Sequence, residues 1–91
     1  MENERLKSSE TERLHPNDNV RVEIENINGD VVTTYKGSGF STIDEAINAA
    51  YNANPVLLGD MADYVYCVTN RETGVTRRYR INAGGNAKLI I

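Results

Sequence analysis

Asp63-Tyr64-Val65-Tyr66-Cys67-Val68-Thr69-Asn70-Arg71-Glu72-Thr73-Gly74-Val75-Thr76-Arg77-Arg78-Tyr79-Arg80-Ile81-Asn82 sets two runs rich in β-branched and aromatic residues on either side of a turn. Such a stretch reads as a β-hairpin, and its register decides which side chains meet the core. Gly74 suits the last, left-handed position of a three-residue loop, Glu72-Thr73-Gly74, which places Arg71 opposite Val75. Followed back along the strands, this loop predicts Val65 opposite Ile81, Cys67 opposite Tyr79 and Thr69 opposite Arg77 on one face. Tyr66 then lies opposite Arg80, and Val68 opposite Arg78, on the other. The first set is the more apolar, so it is expected to face inward.

Upstream lies a first hairpin. Val20, Val22 and Ile24 alternate with Arg21, Glu23 and Glu25, the pattern of a half-buried strand. Asn28-Gly29 tolerates the positive φ of a tight turn, and residues 31–36 return as the second strand. A two-residue loop turns Val31, Thr33 and Tyr35 inward. A three-residue loop with Gly29 left-handed turns Val32 and Thr34 inward instead, because a slip of one residue reverses every side chain.

Between the hairpins the period changes. Lys36-Gly37-Ser38-Gly39 breaks the strand, and Thr42-Ile43-Asp44-Glu45 fits a capping box in which hydroxyl and carboxylate each satisfy a free backbone N–H. The helix starting near Thr42 has an unbroken apolar stripe of Ile43, Ala46, Ile47, Ala50 and Tyr51, with Asp44, Glu45, Asn48 and Asn52 toward water. Asn54-Pro55 ends it. Leu57, Leu58 and Met61 in the connection are expected to close one end of the core. Residues 83–86 form another turn, and residues 88–91 a short final strand.

This order predicts an α+β fold, a two-layer β-β-α-β-β(-β) sandwich with one helix on one face of an antiparallel sheet of four to five strands. Residues 1–19 hold only Leu6 and Leu14 as large apolar side chains after Met1, and read as a mobile polar tail before a single domain over 20–91. At 91 residues, two domains are excluded. The composition, 40% hydrophobic and 25% charged, is that of a globular protein. No apolar run approaches the roughly 20 residues of a membrane helix, and residues 1–19 lack the apolar centre of a secretory leader. With one cysteine, Cys67, too few for a disulfide framework, the expected setting is cytoplasmic.

Charge is unevenly spread. Residues 1–19 sum to -2, 20–62 to -4 and 63–91 to +3, within a net charge of -3. Either the two halves attract each other or a basic face meets an acidic partner.

No catalytic set emerges. His15, the only histidine, falls in the polar tail, Cys67 on the face expected inward, and Asp60 with Asp63 is an isolated pair of loop acids. No cofactor motif or metal-ligand spacing is present, so the expectation is a non-enzymatic protein without cofactor or metal. Three binding surfaces remain. The loop carrying Gly37, Ser38, Gly39, Ser41 and Thr42 enters a helix N-terminus, where free N–H groups can hold an anion, although the spacing is that of no phosphate-binding loop. The outer face of the second hairpin, with Tyr66, Arg78 and Arg80, supported by Arg21 and Tyr64, combines rings for base stacking with cations for phosphate, the recipe for single-stranded nucleic acid. Glu23 and Glu25 share that face and would cancel its field if they lay beside Arg78 and Arg80. The third surface is for protein, a partner or a second copy in a homodimer, bound at the uncovered sheet face or at an edge with free backbone groups. Protein binding is the leading expectation, and single-stranded nucleic acid the alternative.

Overall fold

The computed structural model describes residues 14–55, 57 and 59–90. Strand β1 (Val20–Glu25) and strand β2 (Val31–Gly37) precede helix α1 (Ile43–Asn52). A single 3₁₀ turn (Met61–Asp63) then leads into β3 (Val65–Asn70), β4 (Thr76–Ile81) and β5 (Ala87–Leu89). All strand pairs are antiparallel, in the order β2-β1-β3-β4-β5. The architecture is the expected α+β sandwich, one helix against a five-stranded sheet.

The Thr42 half of the capping box forms as expected, whereas the Glu45 carboxylate bonds one residue before the cap, at Ser41. Thr42 Oγ1 accepts from the Glu45 N–H at 3.2 Å, and the Glu45 carboxylate accepts from Ser41 N–H at 2.7 Å. Ile43, Ala46, Ile47 and Ala50 bury the predicted stripe. The small alanines allow the helix to lie close on β1, where Val20, Val22 and Ile24 present a flat apolar row. Asp44 departs from the solvent-facing expectation. Its Oδ1 accepts the Ala87 N–H of β5 at 2.7 Å, while at the other end of the helix the Asn54 side chain accepts from the Thr33 hydroxyl of β2. The helix therefore crosses the sheet from one edge to the other.

The second hairpin corrects the predicted register. Asn70 N–H donates to Val75 C=O, closing a four-residue loop, and the strands pair Tyr66 with Tyr79, Cys67 with Arg78 and Val68 with Arg77. Relative to the prediction, β3 is turned over. Tyr66, Val68 and Tyr79 are in the core, and Cys67 is on the face away from the helix. The physical cause is the Asn70 side chain, whose Oδ1 accepts from the N–H groups of Glu72 and Thr73 and starts the turn one residue early. Registering Tyr66 with Tyr79 also buries two large rings, a larger gain than burying Cys67 with Tyr79.

In the first hairpin both predicted alternatives are half met. The loop has three residues with Gly29 at φ +86, as Asn26 N–H donates to Asp30 C=O. An extra residue, Val32, then shifts the pairing, so that Glu25 faces Val31 while Ile24 faces Thr33. Thr33 and Tyr35 consequently turn to the helix side, and Val31 and Val32 are 50% and 44% exposed.

Residues 14–19 belong to the folded unit rather than to a tail, because Leu14 is buried in the core and its N–H donates to Ser41 C=O. Pro16 C=O accepts from Gly39 N–H, and Asn19 Nδ2 and Asp18 Oδ2 bond to Glu72 and Asn70. Residues 1–13 lie outside the described residues, as do Leu58 and Ile91. Leu57 and Met61 pack against the core as expected. No helix among the described residues is long and apolar enough to cross a membrane.

Candidate functional site

One helix covers one face of the sheet, so the surfaces available for recognition are the opposite face and the two outer strands. On the opposite face, cross-strand pairing aligns Thr34, Glu23, Cys67 and Arg78 in one row. A neighbouring row runs Lys36, Arg21, Thr69 and Thr76. Beyond Glu25, Val65 faces Arg80, which faces Lys88. Arg21, Arg78 and Arg80 thus lie on the face where alternation put them.

The two tyrosines do not. Tyr66 is fully buried, and its hydroxyl donates to Met61 C=O at 2.7 Å. Burial pushes its phenol well above the ordinary 10.0, with smaller contributions from Tyr51, Tyr64 and Asp63. Tyr64 packs against the core, and its hydroxyl accepts from Gly59 N–H at 3.1 Å. Tyr51 donates its hydroxyl to Gly59 C=O. The three phenols therefore hold the 59–64 connection under the helix, which is why the chain uses tyrosine where phenylalanine would fill the space. Among the described residues neither Tyr64 nor Tyr66 is left for base stacking on the face that carries Arg78 and Arg80, which corrects the placement expected for them.

Charge on the open face is partly cancelled. β1 and β4 are separated by β3, yet Arg78 reaches across it and places Nη2 at 2.8 Å from Glu25 Oε1. Exposed pairs of this kind contribute about 0–1 kcal/mol, so the contact matters more for lowering the local field than for stability. Cys67 sits beneath this bridge. Burial, then Glu23 and Glu25, push its thiol up, against a smaller opposite pull from Arg78 and Arg21. A thiol held in its protonated form is a poor nucleophile at neutral pH. Among the described residues no three His, Cys, Asp or Glu side chains converge as metal ligands.

Two backbone donors of the glycine loop before α1 are engaged internally. Gly39, at φ +91, gives its N–H to Pro16 C=O, Ser41 gives its own to Glu45, and Thr42 Oγ1 caps Glu45 N–H. Gly37 leaves room for the Tyr35 ring, since a Cβ there would lie 2.9 Å from the Tyr35 hydroxyl and the ring would have to shift. Ser38 is exposed beside them. The carboxylate of Glu45 thus occupies the place an external anion would take. A cleft of about 310 Å³ lies between residues 14–18 and the second hairpin, with Leu14, Ile43, Val68 and Tyr79 as its apolar floor and His15, Asp18 and Arg77 at its polar rim.

The two edges differ in length, β2 having seven residues and β5 three. Antiparallel strands bond through alternate residues. Arg71 N–H donates to Asn19 C=O, so odd positions of β1 bond toward β3 and even positions bond toward Thr33, Tyr35 and Gly37 of β2. Thr34 and Lys36 therefore aim their backbone N–H and C=O groups away from the sheet, with no hydrogen bond among the described residues. On β5 the same alternation turns Ala87 and Leu89 outward; Asp44 takes the Ala87 N–H, and Leu89 has no backbone hydrogen bond among the described residues. Beside the open edge stand Ile27, Val31 and Val32, three of the four large apolar residues exposed among the described ones. Sequence reading noted both edges in general terms but missed Thr34 and Lys36. The strict alternation of the first strand gives their phase once the Val32 insertion is known.

No family model, curated protein or solved structure matches this chain.

Proposed function

We propose that this domain is a non-enzymatic protein-binding module that accepts an extended segment of a partner along the outer side of β2. The observation that carries the reading is the asymmetry of the edges: β5 has three residues, with Asp44 taking the Ala87 N–H and Leu89 open, whereas β2 runs seven residues with the outward groups of both Thr34 and Lys36 unpaired. An added strand satisfies those groups with main-chain hydrogen bonds, and the exposed Ile27, Val31 and Val32 supply apolar contact at one end. A lone thiol held protonated suits a reducing, cytoplasmic setting. Single-stranded nucleic acid is the weaker reading, since Tyr64 and Tyr66 pack inward and Glu25 takes Arg78.

Panning a library of random twelve-residue peptides on the immobilised domain tests this. Wild type is expected to enrich peptides of alternating apolar pattern, and Thr34→Pro to lose that enrichment. Proline removes a backbone N–H that the domain's own sheet does not use, a place where edge strands tolerate it. Equal enrichment by both proteins, or none by wild type, would refute strand addition at β2.

A further inference from the structure

The geometry points to a second copy of this chain as an occupant of the β2 edge, an inference that rests on that edge being a docking site and adds the identity of the partner. Antiparallel strands related by a two-fold axis through the sheet set side chains of the same face opposite each other, so odd positions pair with odd and even with even. The register centred on Tyr35 places Thr34 of each copy opposite Lys36 of the other. Every outward N–H and C=O of these two residues is then bonded, and the irregularity at Val32 stays outside the paired segment. Lys36 is the only charged residue of β2, and this register sets it against neutral Thr34 instead of its own symmetry mate.

Tyr35 meets its symmetry mate at a position without hydrogen bonds, where opposing side chains come closest. In the single copy its ring is only half-buried, tilted against Phe40 with centroids 6.4 Å apart. The second copy covers this remaining face. Val31 and Val32 pass beside residues 38–39 of the other chain, which removes apolar surface that the isolated domain leaves 50% and 44% exposed. The product is one continuous sheet with both helices on the same side and both β2 edges closed.

Sedimentation equilibrium on the full chain from about 10 µM to about 1 mM tests the proposal. The mass is expected to rise toward twice the monomer value, and Thr34→Pro, checked for an unchanged circular dichroism spectrum, to weaken association by at least about tenfold. Amide hydrogen exchange on wild type needs no variant: Thr34 and Lys36 should gain at least about tenfold protection on concentration, while Thr33 and Tyr35 are protected throughout. A mass fixed at the monomer value up to about 1 mM overturns the inference. So does a dimer in which Thr34 and Lys36 exchange freely. A strict monomer that still enriches peptides at β2 sinks self-pairing and leaves the edge reading standing, whereas loss of both removes both.

Discussion

The two hairpins are built from the same parts and reach the core by different means. In each, an asparagine side chain accepts two backbone N–H groups of the turn, from Asn28 and Asp30 to Asn26, and from Glu72 and Thr73 to Asn70. In each, a glycine with positive φ closes the loop, Gly29 at +86 and Gly74 at +79. The spacing differs. Asn26 to Gly29 is three residues and gives a three-residue loop, and Asn70 to Gly74 is four and gives a four-residue loop. Asn82 and Gly85 repeat the shorter version, with Asn82 Oδ1 accepting from Gly84 and Asn86. The longer loop of the second hairpin sets Tyr66 and Tyr79 on the core side directly. The first hairpin needs an inserted residue, Val32, to bring Tyr35 round to that side. Turn chemistry thus proposes a register, and burial of large side chains decides whether the strand keeps it or is corrected by a bulge.

The contrast can be broken first at the rings. Tyr66→Ala removes a fully buried side chain and is expected to cost about 3–5 kcal/mol in denaturant unfolding, whereas Tyr35→Ala, at a half-buried edge position, should cost less than half as much. Equal losses would mean that the first hairpin is anchored as deeply as the second.

A smaller effect separates the turn asparagines. Asn70→Ala loses two turn bonds and the Asp18 contact and should cost about 1–2 kcal/mol, and Asn26→Ala, without that contact, about 1 kcal/mol. The reverse order in thermal unfolding would show that Asp18 does not tie residues 14–19 to the second hairpin.

The buried phenols give a pH signature peculiar to the second hairpin. Burial raises the Tyr66 and Tyr79 phenols above their ordinary 10.0, so the unfolded chain releases these protons first. Their contribution is complete below about pH 10 and is lost as pH rises from there toward the folded values. Tyr66→Phe is expected to lose about 1 kcal/mol at neutral pH through the Met61 bond, and to show a shallower decline above pH 10 than wild type. Parallel declines would place the base-sensitive group elsewhere.

The smallest effect is expected from deleting Val32. The deletion leaves Ile24 opposite Thr33 and Val22 opposite Tyr35, so the same side chains face the helix and stability should change by about 1 kcal/mol or less. Loss of the folded spectrum would show that the bulge itself, not the burial of Tyr35, holds the strand.

Much of this was legible from local pattern. Alternation in β1 gave its inward and outward sets, and the Thr42–Glu45 box with its apolar stripe gave the helix and its buried face. Alternation also puts Arg21, Arg78 and Arg80 on the side of the sheet where they lie. Tyr66 and Cys67 fall on the opposite faces from those expected, because Gly74 marks the end of the loop while Asn70, which starts it, continues the strand pattern. The Asn-to-Gly spacing was the available signal. Leu14 is not legible as core, because one apolar residue in a polar stretch has no periodicity, yet it is buried with its N–H on Ser41 C=O just before the helix.

The sequence by itself determined the succession of elements and the buried faces of β1 and α1, because hydrogen bonding and side-chain periodicity act over a few neighbouring residues. Only the tertiary structure decided which edge has a backbone N–H taken by a side chain. Asp44 and Ala87 are 43 positions apart and meet because the helix crosses the sheet obliquely. Likewise Arg78 reaches Glu25 over an intervening strand, a neighbourhood created by strand order. Such contacts depend on where whole elements come to rest, which is set by the packing of the entire core.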